Sequence, residues 1–205
     1  MNRWSATAAL AAAAFFVYGC AGWPRGEEGW ITLIDGDQGL ENWNQVGDAN
    51  WRAEGGAVLA DKGKGGFLVS KTAYSDFEIR AEFWAESNTN SGVFLRCAEP
   101  AKPGAVGCYE VNIWDTRPDP TYGTGAIVNV APVPVPIVYR AGGKWNTYEI
   151  YAKGSQLTVK LNGEVTVSIQ NDKRASGPFA LQFGSGAKGA PGGPIKWRKV
   201  QIRAL

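Results

Sequence analysis

The 205-residue chain contains no histidine and only one methionine. Without an imidazole, Ser-His-Asp and Cys-His nucleophile systems and His-ligated zinc sites are excluded, so any proton transfer falls to carboxylates, tyrosine, lysine or water. Long segments with apolar residues at helical spacing are missing too, and helix should be scarce. No basic stripe is present. The 21 Lys and Arg against 19 Asp and Glu leave a formal charge of +2, or +1 without Arg3, and nothing points to nucleic acid. Fixed-period repeats and low-complexity tracts are also lacking. What is abundant is glycine (27), proline (11) and tryptophan (9), the composition of a turn-rich β protein, in a chain long enough for one domain with a sizeable core.

Met1 to Gly19 carries Arg3 near its start and an apolar run from Ala6 to Tyr18. That run is too short to span a bilayer comfortably and reads as a signal-peptide core. It ends in Val17-Tyr18-Gly19-Cys20, which resembles a bacterial lipoprotein signal whose cysteine becomes the lipidated first residue; an ordinary cleavable signal ending in Ala-Gly is the other reading. Both export the protein. Because Ala21 rather than aspartate follows Cys20, the resemblance implies a periplasmic protein lipid-anchored at the outer membrane of a Gram-negative-type bacterium. The expected organisation is a signal peptide over 1–19, a tether over 20–28 and a single domain over 29–205.

Within that domain, Asp76 to Ala85 alternates Phe77, Ile79, Ala81 and Phe83 with Glu78, Arg80 and Glu82, predicting a strand with one core face and one wet face. Leu157 to Leu161 and Val165 to Ile169 flank Asn162-Gly163, a dipeptide that tolerates positive φ at both positions and so predicts a tight hairpin. The apolar phase changes between Trp197 and Val200, as a β-bulge requires. About a dozen short strands of this kind predict an all-β fold, a two-sheet antiparallel jelly-roll sandwich. Thr116 to Gly143 is irregular and rich in proline, and its length suggests the wall of a site.

The centre of the pattern is Asn90 to Asp115. Val93 and Leu95 alternate with Phe94 and Arg96, and Tyr109, Val111 and Ile113 alternate with Glu110, Asn112 and Trp114. The expected outer faces therefore gather a cation, a carboxylate, an amide and aromatic rings, a mixture suited to a sugar. Together with Leu33-Ile34-Asp35-Gly36, Leu40-Glu41-Asn42-Trp43, Tyr74 to Ile79, Thr124 to Ile127, Trp145 to Ile150, Leu161-Asn162-Gly163 and Gly177 to Gln182, these segments resemble, in order and over nearly the whole mature chain, the 3-keto-disaccharide hydrolase-like family. Members of that family often carry a histidine shortly after the Leu-Gln pair; here Phe183-Gly184-Ser185 follows. The resemblance implies a concanavalin-A- or laminarinase-like fold and cleavage of glycosides whose C3 hydroxyl has been oxidised to a ketone. A C3 ketone acidifies the C2 hydrogen, so a base can form an enolate that expels the C1 substituent, with water adding back. It also implies a periplasmic sugar 3-dehydrogenase as the partner that supplies the substrate.

Such chemistry needs a base, a cation or donor for the enolate oxygen, and an acid for the leaving oxygen. Glu110 is the candidate base, with a solvated strand carboxylate as the bland reading. Arg96 is the candidate enolate stabiliser, or else an ion-pair partner of Glu110. Asp115 is the candidate acid, although its parity opposes that of Glu110 and turn capping would also explain it. Asn90, Asn112, Trp114 and Gln182 are candidate sugar contacts. Cys97 and Cys108 flank the connection between the two strands and are expected to form a disulfide in an oxidising compartment, provided the strand ends depart from strict alternation. No cofactor is assigned, though the loops around Asp115 and Asp119 are candidates to hold a divalent ion. The rival readings are a non-catalytic carbohydrate-binding or adhesion module on the same sandwich, a structural envelope lipoprotein, and a retaining glycosidase. For the last, Glu110-x-Asn112-x-x-Asp115 is a poor match to a paired-carboxylate motif.

Overall fold

A computed structural model describes residues 28–205. The expected signal peptide, Cys20 and all of the tether but Glu28 lie outside the described residues.

Thirteen strands and three single-turn 3-10 helices make up the described chain. The strands are β1 (Ile31–Asp35), β2 (Trp43–Gly47), β3 (Arg52–Ala53), β4 (Val58–Ala60), β5 (Gly65–Ser70), β6 (Phe77–Ala85), β7 (Ser91–Leu95), β8 (Tyr109–Ile113), β9 (Lys144–Lys153), β10 (Gln156–Leu161), β11 (Glu164–Gln170), β12 (Ala180–Gly184) and β13 (Ile195–Ala204). They form two antiparallel sheets. One has eight strands in the order β11-β10-β9-β6-β13-β4-β3, with β1 also paired to β13; the other has five, in the order β2-β5-β12-β7-β8.

Alternation dictates what lies between the sheets. β6 sends Phe77, Ile79, Ala81, Phe83 and Ala85 inward, to meet Val93, Leu95, Tyr109, Val111, Ile113, Leu181 and Phe183 from the five-stranded sheet. The Asn162-Gly163 hairpin joins β10 to β11 with φ of 52° and 87°, and the register of β13 against β6 shifts between Trp197 and Lys199, where the bulge was expected. β7 and β8 pair antiparallel, with Phe94 opposite Glu110 and Gly92 opposite Asn112.

The five-stranded sheet also has a covered outer face. Val69, Phe94, Ala180, Cys97 and Cys108 form a second apolar cluster there, with Val46 and Phe67 against it. Cys97 and Cys108 are joined by a disulfide, with their Cα atoms 4.3 Å apart. The deviation from alternation that this requires is supplied by Arg96, whose φ of 50° ends β7 and turns Cys97 onto the same face as Cys108. The same turn sends the Arg96 side chain elsewhere.

Candidate functional site

Antiparallel partners share a face, so the register defines the outer surface of the five-stranded sheet row by row. One row reads Asn44, Val69, Ala180, Phe94, Glu110; the next reads Val46, Phe67, Gln182, Gly92, Asn112; one step further along, Asn90 lies opposite Gly184. The edge of β8 is extended by the Thr116–Gly143 segment. Asn112 N donates to Ala126 O (2.9 Å), Gly125 N to Asn112 O (3.0 Å) and Val128 N to Glu110 O (2.9 Å). The proline-rich segment is thus pinned against β8, and every residue of β8 is buried on both faces.

Glu110 is 7% exposed, and its carboxyl makes no hydrogen bond or ion pair among the described residues. Burial pushes its carboxyl from 4.5 up to about 7, and the positive charge of Arg117 pulls it only partly back. A carboxylate left unpaired at this depth is costly, and such a group is a candidate for function. Arg117 follows the strand by four residues, and its guanidinium sits over the Trp114 ring at 5.6 Å. Asn112 is fully buried and donates from Nδ2 to Tyr122 O (2.6 Å). Its backbone carbonyl accepts the Tyr148 hydroxyl (2.6 Å), which reaches across the core from β9 and also accepts from Gly125 N.

Among the described residues, seven buried side-chain polar atoms lack a partner. Four are indole nitrogens of Trp30, Trp43, Trp51 and Trp197; the other three are Asn112 Oδ1, Gln182 Oε1 and Arg117 Nε. The three non-indole atoms belong to residues on the outer face of this sheet or just beyond β8, and all three are buried from solvent. Beside the Asn112 row opens a groove of about 350 Å³, lined by Asn90, Trp114, Arg117, Asp119, Ser185 and Lys188 among others. Asn90 is held there by donating from Nδ2 to Ser185 O (2.7 Å).

Two residues expected at the site are elsewhere. Arg96 is fully buried away from Glu110: Nε donates to Ser75 O (2.8 Å), Nη1 to Gly154 O (2.8 Å) and Arg174 O (3.0 Å), and Nη2 lies 3.4 Å from Asp76 Oδ1. Burial lowers its pKa, with Asp76 offsetting part of the effect. It ties three loop carbonyls together and cannot meet an enolate beside Glu110. Asp115, 4% exposed, accepts from Thr124 Oγ1 (2.7 Å), Ala141 N (2.9 Å) and Gly142 N (2.9 Å), so its oxygens anchor the end of the proline-rich segment rather than face the groove. Asp119 caps the 3-10 turn Pro120–Tyr122 by accepting from Thr121 N (3.1 Å). Among the described residues, no cluster of three or more Cys, Asp or Glu that could hold a metal ion is formed.

The cation that does act on Glu110, Arg117, was not singled out from the sequence. Its only sequence signal is position: a lone arginine three residues beyond Trp114, at the start of the segment read as a wall.

A sequence model of the family described as 3-keto-alpha-glucoside-1,2-lyase-like domain matches residues 29–203. No curated protein matches the chain. In three dimensions it is similar to a candidate glycosyl hydrolase from Parabacteroides distasonis (TM-score 0.68, 22% identity, 86% of this chain and 99% of that one) and to a second from the same organism (0.62, 16%, 86% and 89%). It is also similar to the carbohydrate-binding module CBM66 from Bacillus subtilis (0.53, 16%, 86% and 96%). At these identities the three structures establish the fold, a concanavalin-A-like sandwich.

Proposed function

The chain belongs to the 3-keto-alpha-glucoside-1,2-lyase-like family, and from that premise we propose that it cleaves 3-keto-glycosides by base-promoted β-elimination with Glu110 as the base. The observation that carries this reading is the unpaired, buried Glu110 carboxyl, raised to about 7 and opposed only by Arg117. A base poised near neutrality combines adequate ionisation with adequate strength.

Glu110 takes the proton from C2, and the C–H electron pair becomes the C2=C3 bond of an enolate whose oxygen carries the charge. Arg117, with Nε unpartnered, is the cation available to that oxygen. Collapse of the enolate restores the C3 carbonyl, forms C1=C2 and breaks the bond from C1 to the leaving oxygen. The proton gained by Glu110 is the one at hand for that oxygen, since those of Asp115 are occupied by three donors. The products are a 2-hydroxy-3-keto glycal and the free aglycone; water adding across C1=C2 makes the net reaction a hydrolysis. The substrate is taken by the groove along Asn90, Trp114 and Arg117, from which the sugar being cleaved approaches the end of β8 that carries Glu110. A sugar 3-dehydrogenase upstream is the class of reaction that must supply the ketone. The Met1–Cys20 sequence supports export and lipid attachment at Cys20, which would put this chemistry in the periplasm.

The test is NMR of full-length protein with 3-keto-lactose and 3-keto-trehalose beside the unoxidised sugars, and with Glu110→Gln. Release of aglycone from the keto sugars alone, lost in the variant, is expected. Saturable sugar binding without turnover would select a carbohydrate-binding module instead.

A further inference from the structure

The outer face of the eight-stranded sheet, on the far side of the sandwich from the groove, carries aromatic rings and cations that the lyase reading does not use. Period two puts them there, opposite the inward Ile79, Ala81 and Phe83 of β6. Trp84 on β6 is in register with Trp145 on β9 and Lys196 on β13, and the Lys196 ammonium sits 5.0 Å from the centre of the Trp84 ring. Trp145, 37% exposed, lies under the Arg198 guanidinium at 4.4 Å. Trp30, immediately before β1, has the guanidinium groups of both Arg80 (4.4 Å) and Arg203 (4.9 Å) over its ring.

The charges on this face do not cancel. Glu78 and Glu82 are taken up in ion pairs with Arg203 and Arg198. Arg80, Lys160 and Lys196 form no ion pair among the described residues, and Glu149, in register with both Arg80 and Lys160, is the carboxylate between them. Lys153 adds another exposed cation at the end of β9, and Lys199 is in register with Asp35 of β1. A surplus of positive charge is therefore gathered here in a chain whose formal charge is only +2. Rings stacked under cations offer a sugar less of their faces. Indoles beside long cationic side chains suit the headgroup level of a bilayer instead, where the rings take the interface and the cations meet phosphate.

The described chain also begins on this face, since a Cβ at Gly29 would lie 3.4 Å from Arg203 Cδ. Cys20 precedes Trp30 by ten residues, at most about 35 Å of fully extended chain. A lipid on that cysteine would hold this face at high effective concentration beside the bilayer.

Resting on lipid attachment at Cys20 and not on the lyase chemistry, we propose that the outer face of the eight-stranded sheet docks on the phospholipid headgroups of the membrane that holds the anchor. The groove on the five-stranded sheet is then turned away from the bilayer, toward soluble substrate.

The experiment uses full-length protein recovered from membranes, with intact mass reporting the lipid, placed in detergent, on phosphatidylcholine vesicles, or on vesicles that also contain phosphatidylglycerol. A water-soluble acetylating reagent and peptide mass spectrometry read the reactivity of each lysine. Lys160 and Lys196 are expected to react on the order of tenfold more slowly on the anionic vesicles than in detergent, with recovery at high salt, while Lys188 in the groove is unchanged. Reversing two charges of the face, Lys153→Glu with Lys160→Glu, is expected to reduce the protection of Lys196 to about twofold or less. Lysines that react alike on anionic vesicles and in detergent would mean that the domain hangs free on its tether, and would overturn the inference while leaving the anchor in place. Protection of Lys188 instead would assign the membrane to the opposite face and overturn it as well. Protection by soluble alginate but not by vesicles would give the face to an acidic polysaccharide in place of a bilayer. Protein that carries no lipid and stays off the vesicles would bring down the anchor reading and this inference together, with aglycone release from 3-keto sugars untouched.

Discussion

Replacing Glu110 by glutamine removes a titration while keeping the shape of the side chain, and the structure sets the size and sign of the effect. The folded-state carboxyl is raised from 4.5 to about 7 by burial. Between those values the native protein holds a proton that the unfolded chain has released, so stability falls as pH rises through this window and the loss is complete above about 7. At about 1.4 kcal/mol per pH unit, the interval corresponds to a penalty of about 3 kcal/mol in the wild type at pH 8. Glutamine carries no such penalty. Glu110→Gln is therefore expected to match the wild type near pH 4 and to exceed it by about 3 kcal/mol at pH 8, a rise in Tm of roughly 6 to 12 °C for a domain of this size. Thermal denaturation of both proteins at half-unit pH steps measures the difference. A Tm gap that does not change between pH 4 and pH 8.5 would refute the claim that the fold holds this carboxyl protonated, and with it the argument for a base poised near neutrality. Loss of turnover alongside the gain in stability would mark a group retained for chemistry at the cost of the fold.

Arg117→Met removes the charge that lowers the Glu110 carboxyl, so the midpoint of the pH profile of kcat/KM moves upward while its plateau falls on the order of 100-fold or more; a rate profile superimposable on the wild type would exclude Arg117 from the site. Arg96→Met removes a buried guanidinium that donates to the loop carbonyls of Ser75, Gly154 and Arg174 and is expected to cost about 3 kcal/mol in urea denaturation, without moving the pH midpoint of the protein that remains folded. Replacing Cys97 and Cys108 together by alanine opens a loop of eleven residues, with an expected loss of about 2 to 3 kcal/mol by chain entropy, read by the same denaturation, and with Glu110 chemistry retained.

Much of the scaffold was legible because its signals are local. The alternation of β6, the Asn162-Gly163 turn and the phase change in β13 each lie within a few residues, and each has a single physical solution. Glu110 and Asn112 could be picked out as candidates for the outer face for the same reason, since period two assigns a face to every strand residue. Period two stops assigning faces where a strand stops. Extending the alternation of β7 by one residue put Arg96 beside Glu110, but a single positive φ there ends the period and buries the guanidinium among loop carbonyls.

The Thr116–Gly143 segment has no period to read, so neither the burial of Asp115 under Ala141 and Gly142 nor the return of Arg117 toward β8 could be derived from it. The sequence by itself determined the class of fold, the two central strands and which of their side chains face away from the core, because alternation and turn chemistry are properties of neighbouring residues. Only the tertiary structure decided which charge accompanies Glu110, how deeply that carboxyl is buried and which polar atoms are left without partners. Those depend on segments far apart in the chain closing over one sheet face, and on the desolvation that follows.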